Sequence, residues 1–191
     1  MPTTVVQSAF SIGYSRYNGR VPFAIREFDP ADFDILWRID QECFPAGIAY
    51  SRAELKFYMR RHRAFTLVAA ETQPVPAISI SGLVNTNPTP STAASAAGFI
   101  VAEGDRGCGH IITIDVLASA RRSGVGSLLL RAAEDRLRTA QCRSIELETA
   151  VDNISALSFY KRHGYSVIKT FPRYYSNGVD ALVLLKVFNP L

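Results

Sequence analysis

The stretch "IDVLASARRSGVGSLLL", residues 114–130, joins two apolar runs through a pair of arginines, a serine and two closely spaced glycines. Its first part belongs to "GHIITIDVL" (109–117), a β-rich run that reads as a strand. Its last part opens a helix. Over 124–140, Val125, Leu128, Leu129, Ala132, Ala133 and Leu137 share one face, and Arg131, Glu134, Asp135 and Arg138 lie largely on the other. A strand, a tight turn and a helix N-terminus leave unpaired N–H groups at the positive end of a helix dipole. Gly124 and Gly126 keep side chains out of an anion's way, and Arg121 and Arg122 add charge at the rim. A plain loop, with glycines for turning and arginines for solubility, is the competing reading. Two other glycine motifs are excluded. No Lys-Ser/Thr pair follows the glycines, and Leu129 stands where a dinucleotide fingerprint needs its last glycine.

Outward from this stretch the chain alternates between strand and helix signals. "VPFAIREF" (21–28) and "AFTLVAAE" (64–71) read as strands. Between them, "DPADFDILWRIDQECF" (29–44) has an Asp cap, an early Pro, and Phe33, Leu36, Trp37, Asp40 and Phe44 near helical spacing. "PAGIAY" breaks that helix, and Ser51 with Glu54 forms a capping box for a second one running through "RAELKFYMRRH". Residues 72–97 are a low-complexity insertion, in which "AISISGLVN" (77–85) is read as either strand or loop. "GFIVAE" (98–103) and the 109–117 run are separated by a hairpin signal. "SIELETAV" (144–151) alternates as a strand. Asn153 caps a helix to His163 with Gly164 at its end, and "YSVIKTF" and "VDALVLLKVF" finish as strands. The order is mixed α and β around one sheet.

Composition bounds the function. The chain has 191 residues, 48% of them apolar, and a net charge of +4. That suits one domain with a real core and an anionic cofactor, and it is too weakly basic to argue for nucleic acid. The densest basic cluster, "MRRHR" (59–63), is expected to end a helix, where cations suit the dipole. Cys43, Cys108 and Cys142 fit neither a metal motif nor a disulfide framework, which points to a reducing, cytoplasmic setting. No stretch has the length of a membrane span, and the first twenty residues do not read as a secretory signal.

On the 144–151 strand, Ile145, Leu147 and Thr149 share one face, while Glu146 and Glu148 share the other. A glutamate near a sheet centre either serves a reaction or belongs to a solvated face. Asn153 and Tyr160 lie about two helical turns apart and point the same way; a helix cap and a core aromatic are their bland readings.

The 114–130 stretch resembles the acetyl-CoA signature of the GNAT superfamily of N-acetyltransferases, Arg/Gln-x-x-Gly-x-Gly/Ala, with Arg121, Gly124 and Gly126 in its positions. "IELETAVDNISALSFYKRHGYSVIKTFPRYY" (145–175) is similar to the family's closing half. The likeness is greatest to N-terminal acetyltransferases, the bacterial ribosomal-protein-alanine type included. It covers 98–188 well and 21–71 loosely, and leaves 72–97 unexplained. Ala118 departs from a proline common in the family, which alters a turn and no ligand.

The first twenty residues are expected to be an N-terminal extension, and the resemblance implies a single α/β domain (21–191), within which the low-complexity run at about 72–97 is an insertion. Its core would be a mixed, mostly antiparallel sheet of about six to seven strands flanked by about four helices. It implies acetyl-CoA as co-substrate and no metal. The backbone of Ile114, Asp115 and Val116 would pair with pantetheine and polarise the thioester carbonyl. Arg121 fits the motif, and Arg122, Ser123, Gly124, Val125, Gly126 and Ser127 would hold the pyrophosphate. Asn153 would also touch the coenzyme. Glu148 would accept the amine's proton and Tyr160 would protonate the leaving thiolate. Tyr174 and Tyr175, facing Phe44, Pro45 and Tyr50, would form a slot for a peptide start; surface tyrosines with no ligand are the alternative. An α-amine titrates near pH 8 against about 10.4 for lysine, so a protein or peptide N-terminus is the easier acceptor. The competing functions are acetylation of a lysine or small amine, and non-catalytic sensing of acyl-CoA. Nucleic acid and membrane are not expected as partners.

Overall fold

The computed structural model describes residues 23–72 and 96–188. The 1–20 extension, the "AISISGLVN" segment and most of the insertion lie outside these residues. Seven strands form one sheet: β1 (Phe23–Glu27), β2 (Ala64–Glu71), β3 (Ala96–Glu103), β4 (Gly107–Val116), β5 (Cys142–Ala150), β6 (Ser166–Phe171) and β7 (Ala181–Val187). Their order is β1-β2-β3-β4-β5-β7-β6. All neighbours are antiparallel except β4 and β5. Four helices flank the sheet: α1 (Phe33–Cys43), α2 (Arg52–Met59), α3 (Val125–Thr139) and α4 (Ile154–Arg162). The expected mixed α/β architecture is the one observed.

Each face of the sheet buries its own core. On one side, Leu36 and Ile39 of α1 and Leu55 of α2 pack on Val68, Phe99 and Val101. On the other, Leu129, Ala133 and Leu137 of α3 and Tyr160 of α4 pack on Ile100, Ile111, Ile145 and Leu147. The apolar periodicity of α3 therefore sets which face it buries.

The structure differs from the sequence reading at four places. Asp29 and Pro30 open a 3-10 turn, Pro30–Asp32, and α1 begins only at Phe33. The Asp32 carboxylate is spent on the Asp29 N–H and on Arg26. Helix α2 stops at Met59, and Arg61 leaves the helix end to pair with Glu103 at 3.0 Å. Ala96 and Ala97, read as insertion, belong to β3, where Ala96 pairs with Ala70. Glu134, expected near the solvated face of α3, is 2% exposed. Lys186 of β7 reaches both its oxygens, at 2.8 and 2.7 Å, and Tyr165 donates at 3.1 Å, so the buried charge is paired and hydrogen-bonded.

Candidate active site

The site begins where the sheet splits. Strands β4 and β5 pair from Gly107↔Cys142 to His110↔Glu146, and the register goes no further. Beyond that point β4 stays on β3 as far as Gly98↔Val116, and β5 stays on β7 as far as Ala150↔Ala181. Residues 111–116 and 147–150 therefore face each other across a cleft with sheet edges that do not pair. Ile112 is the extra residue of a bulge between Val101 and Ala102, which turns the end of β4. Side chains reach two carbonyls of this segment. The Tyr50 hydroxyl donates to Ile112 O at 3.4 Å, and Arg121 Nε donates to Val116 O at 3.0 Å.

The turn after β4 leads into α3 at the mouth of the cleft. Ala118–Ala120 form a 3-10 turn, and Gly124 caps α3 with φ +95°, a left-handed conformation that suits glycine. No side chain caps this helix. The Ser123 hydroxyl turns back to Ala120 O, and the Ser127 hydroxyl meets His163 Nε2 at 2.9 Å. The first-turn amides of Val125, Gly126 and Ser127 thus lack an intrahelical acceptor at the positive end of a 15-residue helix. Arg122 makes no ion pair among the described residues. A Cβ on Gly126 would meet the Phe159 ring at 3.5 Å, an ordinary contact, so that ring lies directly beside the first turn of α3. These features fit a bound pyrophosphate and its pantetheine arm. Asn153 caps α4, its Oδ1 accepting from the Ala156 N–H at 3.1 Å.

Glu148 lies on the cleft wall with its side chain 18% exposed, and its Oε2 is 2.7 Å from His110 Nε2. The sequence reading missed His110. Burial alone would push its imidazole down, but the bond to Glu148 and the charges of Glu148, Glu146 and Glu103 outweigh it and leave the imidazole raised. Tyr160 is buried at the base of α4, and its hydroxyl makes no hydrogen bond among the described residues. Burial, then Asp115 and Tyr175, push that hydroxyl well up, so it holds its proton. It can donate one but will not ionise readily.

Two loops form the outer walls, and they touch. The Ser176 hydroxyl of the β6–β7 loop donates to Gly47 O of the α1–α2 loop at 2.7 Å. Tyr174 stacks on Phe171 and meets Tyr175 edge-on at 5.1 Å. Burial and then Tyr174 and Glu148 push Tyr175 up to about 12, which places it in the field of the candidate base. Tyr50 is fixed through its backbone. Asp40 accepts its N–H at 2.9 Å, and Trp37 and Gln41 donate to its carbonyl. Phe44 caps α1, and Pro45 opens the turn that leads to Gly47. Tyr50, Tyr174, Tyr175 and Glu148 are thus drawn together, with Phe44 and Pro45 on the adjoining loop.

Sequence reasoning also missed two sealed carboxyls. Asp40 of α1 and Asp115 of β4 are 0% and 1% exposed, and Asp40 Oδ1 and Asp115 Oδ2 have no hydrogen-bond partner. Among the described residues no cluster of His, Cys, Asp or Glu could hold a metal, and no helix is long and apolar enough to cross a membrane.

The sheet thus splits with a helix N-terminus at the mouth and a carboxylate on the wall, and comparison with known proteins decides the family. The model of the acetyltransferase (GNAT) family matches residues 33–165. The chain belongs to this family. It is a GNAT-type N-acetyltransferase. It is 30% identical over 163 residues to an uncharacterized N-acetyltransferase of Methanocaldococcus jannaschii, covering 85% of this chain and 90% of that one. It is 38% identical over 73 residues to N-alpha-acetyltransferase 30 of Schizosaccharomyces pombe, covering 38% of this chain and 49% of that protein. The chain spans about half or less of the curated N-alpha-acetyltransferases it matches. The crystal structure of Ard1 from Thermoplasma volcanium superposes with a TM-score of 0.71 at 27% identity, over 88% of this chain and 99% of that one.

Proposed function

We propose that this acetyltransferase moves an acetyl group from acetyl-CoA to the α-amine of a protein or peptide N-terminus. The observation that carries the reading is the Glu148–His110 pair on the wall where β4 and β5 part, between the α3 N-terminus and the tyrosine loops. The relatives named N-alpha-acetyltransferases support the choice of acceptor.

Acetyl-CoA, when bound, supplies the acetyl thioester. The amides of 122–127 and the Arg122 charge hold its pyrophosphate, the β4 backbone at 114–116 takes the pantetheine arm as an added strand, and Asn153 closes on it. A β4 N–H polarises the thioester carbonyl, where negative charge develops. Glu148, with His110, takes the amine's proton as the C–N bond forms. Tyr160 gives its proton to the sulfur as the C–S bond breaks. Tyr50, Tyr174 and Tyr175, with Phe44 and Pro45, hold the first residues of the acceptor so that its amine meets the carbonyl.

The test is mass spectrometry of acetyl-CoA reactions with two matched peptides. One has a free α-amine; the other has a blocked N-terminus and a free lysine. The free α-amine should be acetylated and the lysine peptide far less. Equal use of both, or preference for a small polyamine, would move the acceptor to another class; coenzyme binding with no transfer would make the protein a sensor.

A further inference from the structure

His110 is the last residue of β4 in register with β5, and this position surrounds it with carboxylates. Across one edge it pairs with Glu146 of β5, and across the other with Glu103 of β3. Cross-strand partners share a face of the sheet, and Glu148 follows Glu146 on that same face. Three glutamates on two strands thus flank one imidazole, which is itself 31% exposed along its side chain. Their states differ. Glu148 hydrogen-bonds the ring at 2.7 Å, Glu103 is bound to Arg61 at 3.0 Å, and Glu146 has no ion-pair or hydrogen-bond partner among the described residues. The Tyr174 and Tyr175 hydroxyls of the β6–β7 loop lie in the field of Glu148, both pushed up and therefore neutral, and Cys108 precedes the histidine by two residues on β4.

With His110 and Glu148 taking up the amine's proton across their 2.7 Å bond, we propose that Glu146 and Glu103 are positioning residues which set how tightly that pair holds it. The proposal rests on the α-amine acetylation reading for its kinetic consequences, but not for its electrostatic ones. When the imidazole is protonated, Glu148 faces a cation and is a poor acceptor. When it is neutral, the pair has room for the proton that leaves the amine. Each flanking carboxylate stabilises the protonated state, so each keeps the pair out of its active form until higher pH. Arg61 opposes this by neutralising Glu103.

The test is the pH profile of kcat/KM for Glu146→Gln, Glu103→Gln and Arg61→Ala, together with NMR titration of the His110 ring in the same proteins without substrate. Glu146→Gln should move the ring titration and the acid limb to lower pH. At pH 6 it should be roughly twofold to fivefold faster than the parent, with the two converging at high pH. Glu103→Gln should shift the same way by less, and Arg61→Ala should shift the opposite way. A purely structural role gives no such opposed signs. An unmoved ring titration in Glu146→Gln, or shifts of one sign for all three variants, would overturn the proposal. If the ring shifts as expected but no α-amine is acetylated, the acceptor reading fails and the electrostatic cage stands. If acetylation proceeds and the ring does not shift, the cage alone fails.

Discussion

Two carboxyl clusters lie on either side of the cleft, and they are built to opposite rules. On the β5 side, Glu148 has a histidine partner at 2.7 Å and a path to solvent. On the β4 side, Asp40 and Asp115 are sealed, each with an oxygen that has no partner and with no cation paired to either among the described residues. Burial pushes Asp40 up to about 6, against the pull of the Tyr50 N–H and Gln41. Burial, then the charge of Asp40, pushes Asp115 well up. A carboxylate with a basic neighbour and access to water can trade protons during a reaction. A sealed carboxyl with no cation holds its proton to higher pH than an exposed one, has no route to trade it with a substrate and acts as a fixture. Here the fixture is useful. Asp40 Oδ2 holds the Tyr50 backbone on the wall proposed to take the acceptor, and Asp115 sits in the strand proposed to hold pantetheine.

Paired substitutions can break this comparison. The largest expected effect is on turnover: Glu148→Gln should lower kcat by about a hundredfold or more, while Asp115→Asn should leave it within about twofold. Steady-state kinetics of both proteins checks this, and equal losses would erase the distinction.

The next effect is on stability. Raised carboxyls make the native state bind more protons than the unfolded chain. Stability is therefore fully present below the ordinary aspartate range and falls as pH rises through the raised values. For Asp40, a window from 3.8 to about 6 corresponds to roughly 3 kcal/mol. Asp115→Asn mimics the protonated acid and can still accept from Thr113, which now bonds Oδ1 at 3.0 Å. Its unfolding free energy should exceed the parent's at pH 8 and approach the parent's at pH 4, measured by urea titration. A variant destabilised more at pH 8 than at pH 4 would show that Asp115 is charged and needed as such. The smallest effect concerns the walls: Tyr174→Ala should raise KM for an α-amine peptide by several-fold and leave that for acetyl-CoA unchanged.

The two clusters also differ in how far the sequence reveals them. Strand alternation over 144–151 puts Glu146 and Glu148 on a shared face, and helical spacing places Asp40 within an otherwise apolar stripe of α1. The helix at 125–139 and its buried Val125, Leu129, Ala133 and Leu137 follow from period alone. Partners do not. His110 meets Glu148 only because β4 and β5 run parallel and in a particular register, 38 residues apart in the chain. Lys186 reaches Glu134 across 52 residues, which turns an expected surface position into a buried ion pair. A lone histidine opposite an alternating Glu-x-Glu strand is the signal that could have found the first pair. A central carboxylate in an apolar helix stripe is the one for Asp40.

The central claim is that Glu148 accepts a proton from an α-amine, and the pH dependence of the Glu148→Gln deficit tests it most directly. An α-amine titrates near pH 8, so a general base is needed most when the amine is still protonated. The ratio of parent to Glu148→Gln kcat/KM, measured with one peptide at pH 7 and pH 9.5, should fall by about tenfold while acetyl-CoA Kd stays the same in both proteins. A ratio near one at pH 7, or a large ratio unchanged at pH 9.5, would contradict the account.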